Sequence, residues 1–160
     1  MKRIYSDSLF SIREAKPNDE MAILGFIQEL ADYEKEPDAV EVSAQELAKD
    51  LFEDNVCSAI LLIENTSQRA VGMAVYYVSY STWKGKCLYL EDFYIQPNYR
   101  RKGGGELLFS HLLGIVKAKG YRRMDWQVLE WNEPAIKFYQ KIGAALDDGW
   151  INGRLHFQKK

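Results

Sequence analysis

Arg100-Arg101-Lys102-Gly103-Gly104-Gly105 joins a strand-like run at residues 87–95 to a helix-like run at residues 106–117. A glycine-rich turn opening a helix is an anion site: glycine lets backbone approach a phosphate, the first N–H groups of the helix are unpaired, and the macrodipole adds about half a positive charge. Three basic side chains add full charges. The turn has no Lys-Ser/Thr for a terminal phosphate and magnesium, and its spacing does not fit the dinucleotide Gly-x-Gly-x-x-Gly. These features favour a diphosphate ligand held without metal.

Outward from the turn, the helix ends near Gly120 and residues 124–129 read as a strand, so a right-handed parallel crossover is expected. Upstream, residues 58–64 and 70–80 flank the polar Asn65-Thr66-Ser67-Gln68 as an antiparallel hairpin, which residues 87–95 continue after Trp83-Lys84-Gly85. Residues 9–13 alternate as a first strand. A helix starts at Pro17-Asn18-Asp19, with Asp19 as its cap and Met21, Leu24, Ile27, Leu30 and Ala31 as its apolar stripe. Ser43-Ala44-Gln45-Glu46 is a capping box for a second helix carrying Leu47, Leu51 and Phe52. Glu133-Pro134-Ala135 opens a last helix through Ile136, Phe138 and Tyr139 to Gly143, and residues 151–157 read as a closing strand. The fold class expected is α+β in one domain over residues 1–160: a mixed, mostly antiparallel sheet with one parallel strand pair, flanked by about four helices.

The composition, 47% hydrophobic and 28% charged in 160 residues, is that of a soluble globular chain, and no run of about 18 apolar residues offers a membrane span. The N-terminus lacks the apolar core and cleavage site of a secretory signal, so a cytoplasmic location is expected. Cys57 and Cys87 are isolated in apolar runs and indicate neither metal nor disulfide. A net charge of −2 argues against a general nucleic-acid binder. The charge is segregated, however. Residues 29–54 hold ten acids against Lys35 and Lys49, whereas residues 98–123 hold seven basic side chains against Glu106 alone. An anionic ligand on the second half and a cationic one near the first is the natural reading.

Glu91-Asp92 interrupts an otherwise apolar strand. Strict alternation would put one carboxylate on each face of the sheet, one structural and one functional. A buried acid needs a partner or a polar cleft. Tyr139, on the helix after the crossover, points back to the strand C-termini, where open sheets bind ligands. His111 and His156 have no recognisable nucleophile or ligand partner and read as structural.

Arg100-x-x-Gly103-x-Gly105, together with Trp131-Asn132-Glu133-Pro134-Ala135 and Phe138-Tyr139-Gln140-Lys141-Ile142-Gly143-Ala144, resembles the GNAT superfamily of acetyl-CoA-dependent N-acetyltransferases. Within it, Glu29-Leu30-Ala31-Asp32-Tyr33-Glu34, Trp83-Lys84-Gly85-Lys86 and Tyr89-Leu90-Glu91-Asp92-Phe93-Tyr94 resemble the spermidine/spermine acetyltransferases and their thialysine-acetylating relatives. The resemblance implies that the parallel pair splays and that acetyl-CoA is the cosubstrate. It implies CoA contacts from Arg100, Arg101, Lys102, Gly103, Gly104 and Gly105, from the strand at Phe93, Tyr94 and Ile95, and from Asn132. It further gives Tyr139 the proton for the departing thiolate and Glu91 the proton of the amine, with Asp92, Trp83 and Glu29 joining Glu91 in substrate binding. Gly104 stands where the family carries a larger residue, and a looser loop is expected there.

The resemblance implies a small diamine, polyamine or lysine-like amine as acceptor, direct attack, no metal, no nucleic acid or membrane partner, and a homodimer. The physics agrees: a primary amine of pKa near 10.4 is less than about one part in a thousand neutral at pH 7, so it needs an anionic site and a base. Two alternatives remain open at this level: a protein lysine or N-terminus as acceptor, and a non-catalytic CoA- or polyamine-binding regulator. The residues do not rank polyamines against thialysine-like amino acids.

Overall fold

The segment Ser58–Glu64 is apolar almost throughout because both of its faces are covered. In the computed structural model, which describes residues 5–159, it is β3 of a six-stranded sheet ordered β1 (Tyr5–Ser6), β2 (Phe10–Glu14), β3, β4 (Ala70–Ser81), β5 (Gly85–Ile95) and β6 (Met124–Asp125). All neighbours are antiparallel except β5 and β6. The helices are α1 (Glu20–Tyr33), α2 (Ala44–Phe52), α3 (Gly104–Lys119) and α4 (Glu133–Lys141), with a 3₁₀ turn at Pro97–Tyr99. The chain divides into two compact units at Gln127 and Val128: the first holds the sheet with α1 to α3, the second holds α4. Among the described residues no helix is long and apolar enough to cross a membrane.

On one face of the sheet, Leu61, Ile63, Met73, Val75 and Tyr94 meet Ile23 and Phe26 of α1 and Leu47 and Leu51 of α2. Leu62 lies on the other face, against the start of α3, and Phe93 meets Phe109 of α3 edge-on at 5.9 Å. Ile23, Leu61 and Leu62 are fully buried, each stabilising the fold by roughly 1.5–3 kcal/mol. The capping box forms as read: the Ser43 side chain accepts from the Glu46 N–H at 3.2 Å, and the Ser43 N–H donates to Glu46 at 2.8 Å.

The parallel pair is short and splayed. Only Leu88 and Tyr89 pair with Met124 and Asp125, so the β6-facing edge of β5 from Leu90 to Ile95 has no partner strand among the described residues. The strand expected at residues 124–129 is therefore cut to two residues. The closing strand expected at residues 151–157 does not form. Its Ile151, Leu155 and Phe157 alternate suitably but are exposed, and strand propensity without a paired neighbour is too weak to order a strand. On α1 the buried stripe is carried by Ile23 and Phe26, while Met21 is 66% exposed. Asp19 stands at the cap position without capping. Its carboxylate instead accepts from the two terminal nitrogens of the Arg13 guanidinium and from the Lys16 N–H, a better use of a part-buried charge.

Candidate active site

Tyr89 pairs with Tyr77 and Asp92 pairs with Val75, so residues three apart on β5 face the same way as residues two apart on β4. Between them, Leu90 pairs with Tyr76 and Glu91 has no partner: it is the extra residue of a β-bulge. The expectation of one carboxylate per face is therefore overturned. Glu91 acts electrostatically on Tyr77, Tyr89, Asp92 and Cys57, all on the face that α1 and α2 cover further along. Both carboxylates belong to that face. Burial, then repulsion from Glu91 and from Glu34 just beyond α1, pushes the Asp92 carboxyl up to about 6. Burial also raises the Glu34 carboxyl. The bulge therefore creates a partly desolvated anionic patch with one group poised near neutral pH.

The Tyr77 and Tyr89 rings stack at 5.1 Å and 26° beside Glu91, an electron-rich ledge that the sequence reading did not single out. Tyr89 opens one of the quoted motifs, but nothing in the sequence pairs it with Tyr77. Their cross-strand register does. Glu34 was legible as one acid in a run and as the end of a quoted motif, with no role of its own.

The other expected substrate residues, Trp83 and Glu29, take different places. Trp83 is 84% exposed in the β4–β5 turn, and six strand steps separate Gly85 from Glu91, about 20 Å at the usual rise. Within one chain Trp83 does not reach the carboxylates. Glu29, on α1, accepts from the Tyr94 hydroxyl at 2.9 Å and from the Gln96 amide at 3.1 Å. Burial and that bond push the Tyr94 phenol up to about 12. Glu29 thus serves first to fasten α1 to the end of β5.

After β5 the chain makes the turn that the sequence singled out. Gly103 is left-handed at φ 86°, with open space where a Cβ would stand, and Arg101 is left-handed at φ 58°. The first N–H groups of α3 follow with no intrahelical acceptors. Arg101 and Lys102 are exposed, with the Lys102 ammonium 5.8 Å from the Tyr99 ring. This is the form of an anion-binding helix start, with the free backbone donors that a diphosphate would need. Gly104 does not loosen the turn. It is buried, and a Cβ there would stand 2.7 Å from Leu62 Cδ2 and 3.4 Å from Phe10, so those two side chains fill the space of the missing one. Arg100 turns away from the turn: its Nε donates to the Ile95 carbonyl at 2.7 Å.

The second unit holds the other expected residues. Asn132 is the N-cap of α4, its side chain accepting from the Ala135 N–H at 3.4 Å. Tyr139 is buried, with Phe138 edge-on to its ring at 5.5 Å. His111 is buried on α3, and burial lowers its imidazole. Among the described residues no group of three or more His, Cys, Asp or Glu is arranged to hold a metal.

Comparison with known proteins gives the family. A thialysine N-epsilon-acetyltransferase of Bos taurus is 39% identical over 149 residues, covering 87% of this chain and 88% of that protein. A spermidine/spermine N(1)-acetyltransferase-like protein 1 of Homo sapiens is 37% identical over 150 residues, covering 88% of this chain and 22% of its own length. A possible acetyltransferase from Clostridium difficile 630 superposes with a TM-score of 0.75 at 22% identity, covering 94% of this chain and all of that one, which shows the shared fold. The model of the Acetyltransferase (GNAT) family matches residues 18–144, a span that takes in the bulge, the glycine turn and Tyr139. The splayed strand pair, the glycine turn and these relatives together make the chain an N-acetyltransferase of the GNAT family.

Proposed function

We propose that the protein transfers the acetyl group of acetyl-CoA to a primary amine of a small diamine, polyamine or lysine-like amino acid, by direct attack. The observation that carries this reading is the bulge at Glu91, which gathers two carboxylates on one face beside an unpaired strand edge. In this reading the residues divide the work. Glu91, with Glu34 behind it, attracts the ammonium, and the coupled pair Glu91 and Asp92 takes its proton. Asp92 is the member poised near neutral pH. Unpaired backbone N–H groups at the end of β5 face the thioester oxygen as charge develops on it. The turn from Arg101 to Gly105 holds the diphosphate of CoA through backbone amides.

The amine nitrogen bonds to the carbonyl carbon, the carbon–sulfur bond breaks, and the acetyl group leaves on nitrogen. The thiolate receives its proton from the Tyr139 hydroxyl, a role that rests on the match of Tyr139 to the family motif, as does the pantetheine contact of Asn132. No covalent enzyme intermediate is required.

The resemblance to a thialysine N-epsilon-acetyltransferase and to a spermidine/spermine N(1)-acetyltransferase-like protein supports the acceptor class. A single domain over residues 1–160, a homodimer and cytoplasmic residence belong to the same proposal. Initial rates of thiol release from acetyl-CoA across spermidine, putrescine, lysine, thialysine and a lysine-containing peptide test it. Turnover with a small amine is expected. Turnover with the peptide alone would move the acceptor to protein, and acetyl-CoA binding without any turnover would leave a regulator.

A further inference from the structure

Arg100 is the first basic residue of the glycine turn, yet its side chain joins the α1–β5 junction. Its Nε donates to the Ile95 carbonyl at 2.7 Å, and its guanidinium carbon lies 5.4 Å from the Tyr94 ring centroid and 5.5 Å from that of Tyr33. Tyr33 is the last residue of α1, and Tyr94 is the residue before Ile95 on β5. One turn back on α1, Glu29 takes the Tyr94 hydroxyl and the Gln96 amide. The end of α1 is thus held to the end of β5 at two levels, by Glu29 and by Arg100. Glu34 follows immediately, and its charge bears on Asp92.

We propose that Arg100 is a positioning residue of the acceptor site, a strut acting through Ile95, Tyr94 and Tyr33 rather than a ligand of the CoA diphosphate. The proposal rests on the reading of the Glu34, Glu91 and Asp92 face as the acceptor site. Three features support it. The β6-facing edge of β5 has no strand to stiffen it beyond Tyr89, so the side chain bound to Ile95 replaces part of that restraint. A planar guanidinium can place its face on aromatic rings while its edge donates to a carbonyl, which a lysine ammonium does not reproduce. Arg101, Lys102 and the amides of α3 remain at the turn for the anion.

The test uses the purified full chain with Arg100→Ala, Arg100→Lys and Tyr33→Leu, each checked for native circular dichroism. Calorimetric binding of CoA and of pantetheine, which lacks the diphosphate, is compared with the KM of the best amine acceptor. A strut leaves the ratio of CoA to pantetheine affinity within about twofold of wild type in Arg100→Ala, and raises the amine KM on the order of tenfold. Arg100→Lys fails to restore that KM, and Tyr33→Leu, which touches no phosphate, raises it as well. A tenfold or greater fall in the affinity ratio of Arg100→Ala overturns the proposal, as does a wild-type amine KM in Tyr33→Leu or in Arg100→Lys. If Arg100→Ala does not fold, the other two variants decide. If wild type acetylates no small amine, the acceptor reading fails and the strut role with it, whereas the affinity ratio still shows whether Arg100 touches the diphosphate.

Discussion

In the proposed reading Asp92 is the carboxylate that responds to pH, because it is part-buried with two like charges, Glu91 and Glu34, acting on it. Its carboxyl titrates near 6, against 3.8 for an unperturbed one. With acceptor binding dependent on its ionised form, kcat/KM for the amine falls as pH drops through about 6. Glu91→Gln and Glu34→Gln each remove a repelling charge, so a pH–rate profile of either variant should show the inflection at lower pH. An unmoved inflection in both would contradict the shared face. Stability follows the opposite course. Between 3.8 and about 6 the folded chain holds the Asp92 proton more tightly than the unfolded one, so its contribution is full below that window and is lost as pH rises through it. Asp92→Asn should therefore gain stability relative to wild type at pH 7 compared with pH 4, by at most about 3 kcal/mol, in urea unfolding at the two pH values. The identity of this pair was legible in the sequence as two acids in an apolar strand. Its common face was not, because a one-residue bulge leaves no mark on an alternating pattern. Tyr139 stands on motif alone, and Tyr139→Phe should lower kcat by roughly 10²–10⁴ while leaving acetyl-CoA binding intact, as single-turnover kinetics would show.

Elements defined by local chemistry were the legible ones. The Ser43–Glu46 box, the polar turn after Glu64 and the glycine start of α3 each fix their own backbone within a few residues. The closing strand and most of the crossover strand were misjudged because a strand exists only where a neighbour accepts its hydrogen bonds. The glycine turn shows both sides of this limit. Its anion-binding form follows from local sequence, whereas the burial of Gly104 depends on Leu62 and Phe10, more than 40 and 90 residues away in the chain. Gly104→Leu should destabilise by roughly 1–3 kcal/mol, since its side chain must displace Leu62. Adding Leu62→Ala should recover part of that loss, a coupling that a double-mutant cycle on unfolding free energies would measure. Additive effects would contradict the packing account.

At the scale of the molecule, the acids Glu34, Glu91 and Asp92 gather at the α1–β5 face, and Arg101 and Lys102 stand exposed at the turn after β5. Order and spacing of the motifs identified the family because they run along most of the chain. Acceptor choice was not legible, since in the proposed reading it depends on how deeply the carboxylates sit and on the Tyr77–Tyr89 ring stack beside them. The most direct measurement of the account is thiol release from acetyl-CoA by wild type and Asp92→Asn with the best small amine at saturating acetyl-CoA and pH 8. Wild-type turnover with a loss of about a hundredfold or more in kcat/KM for the amine in Asp92→Asn is the result predicted. Equal turnover by the two proteins would contradict it.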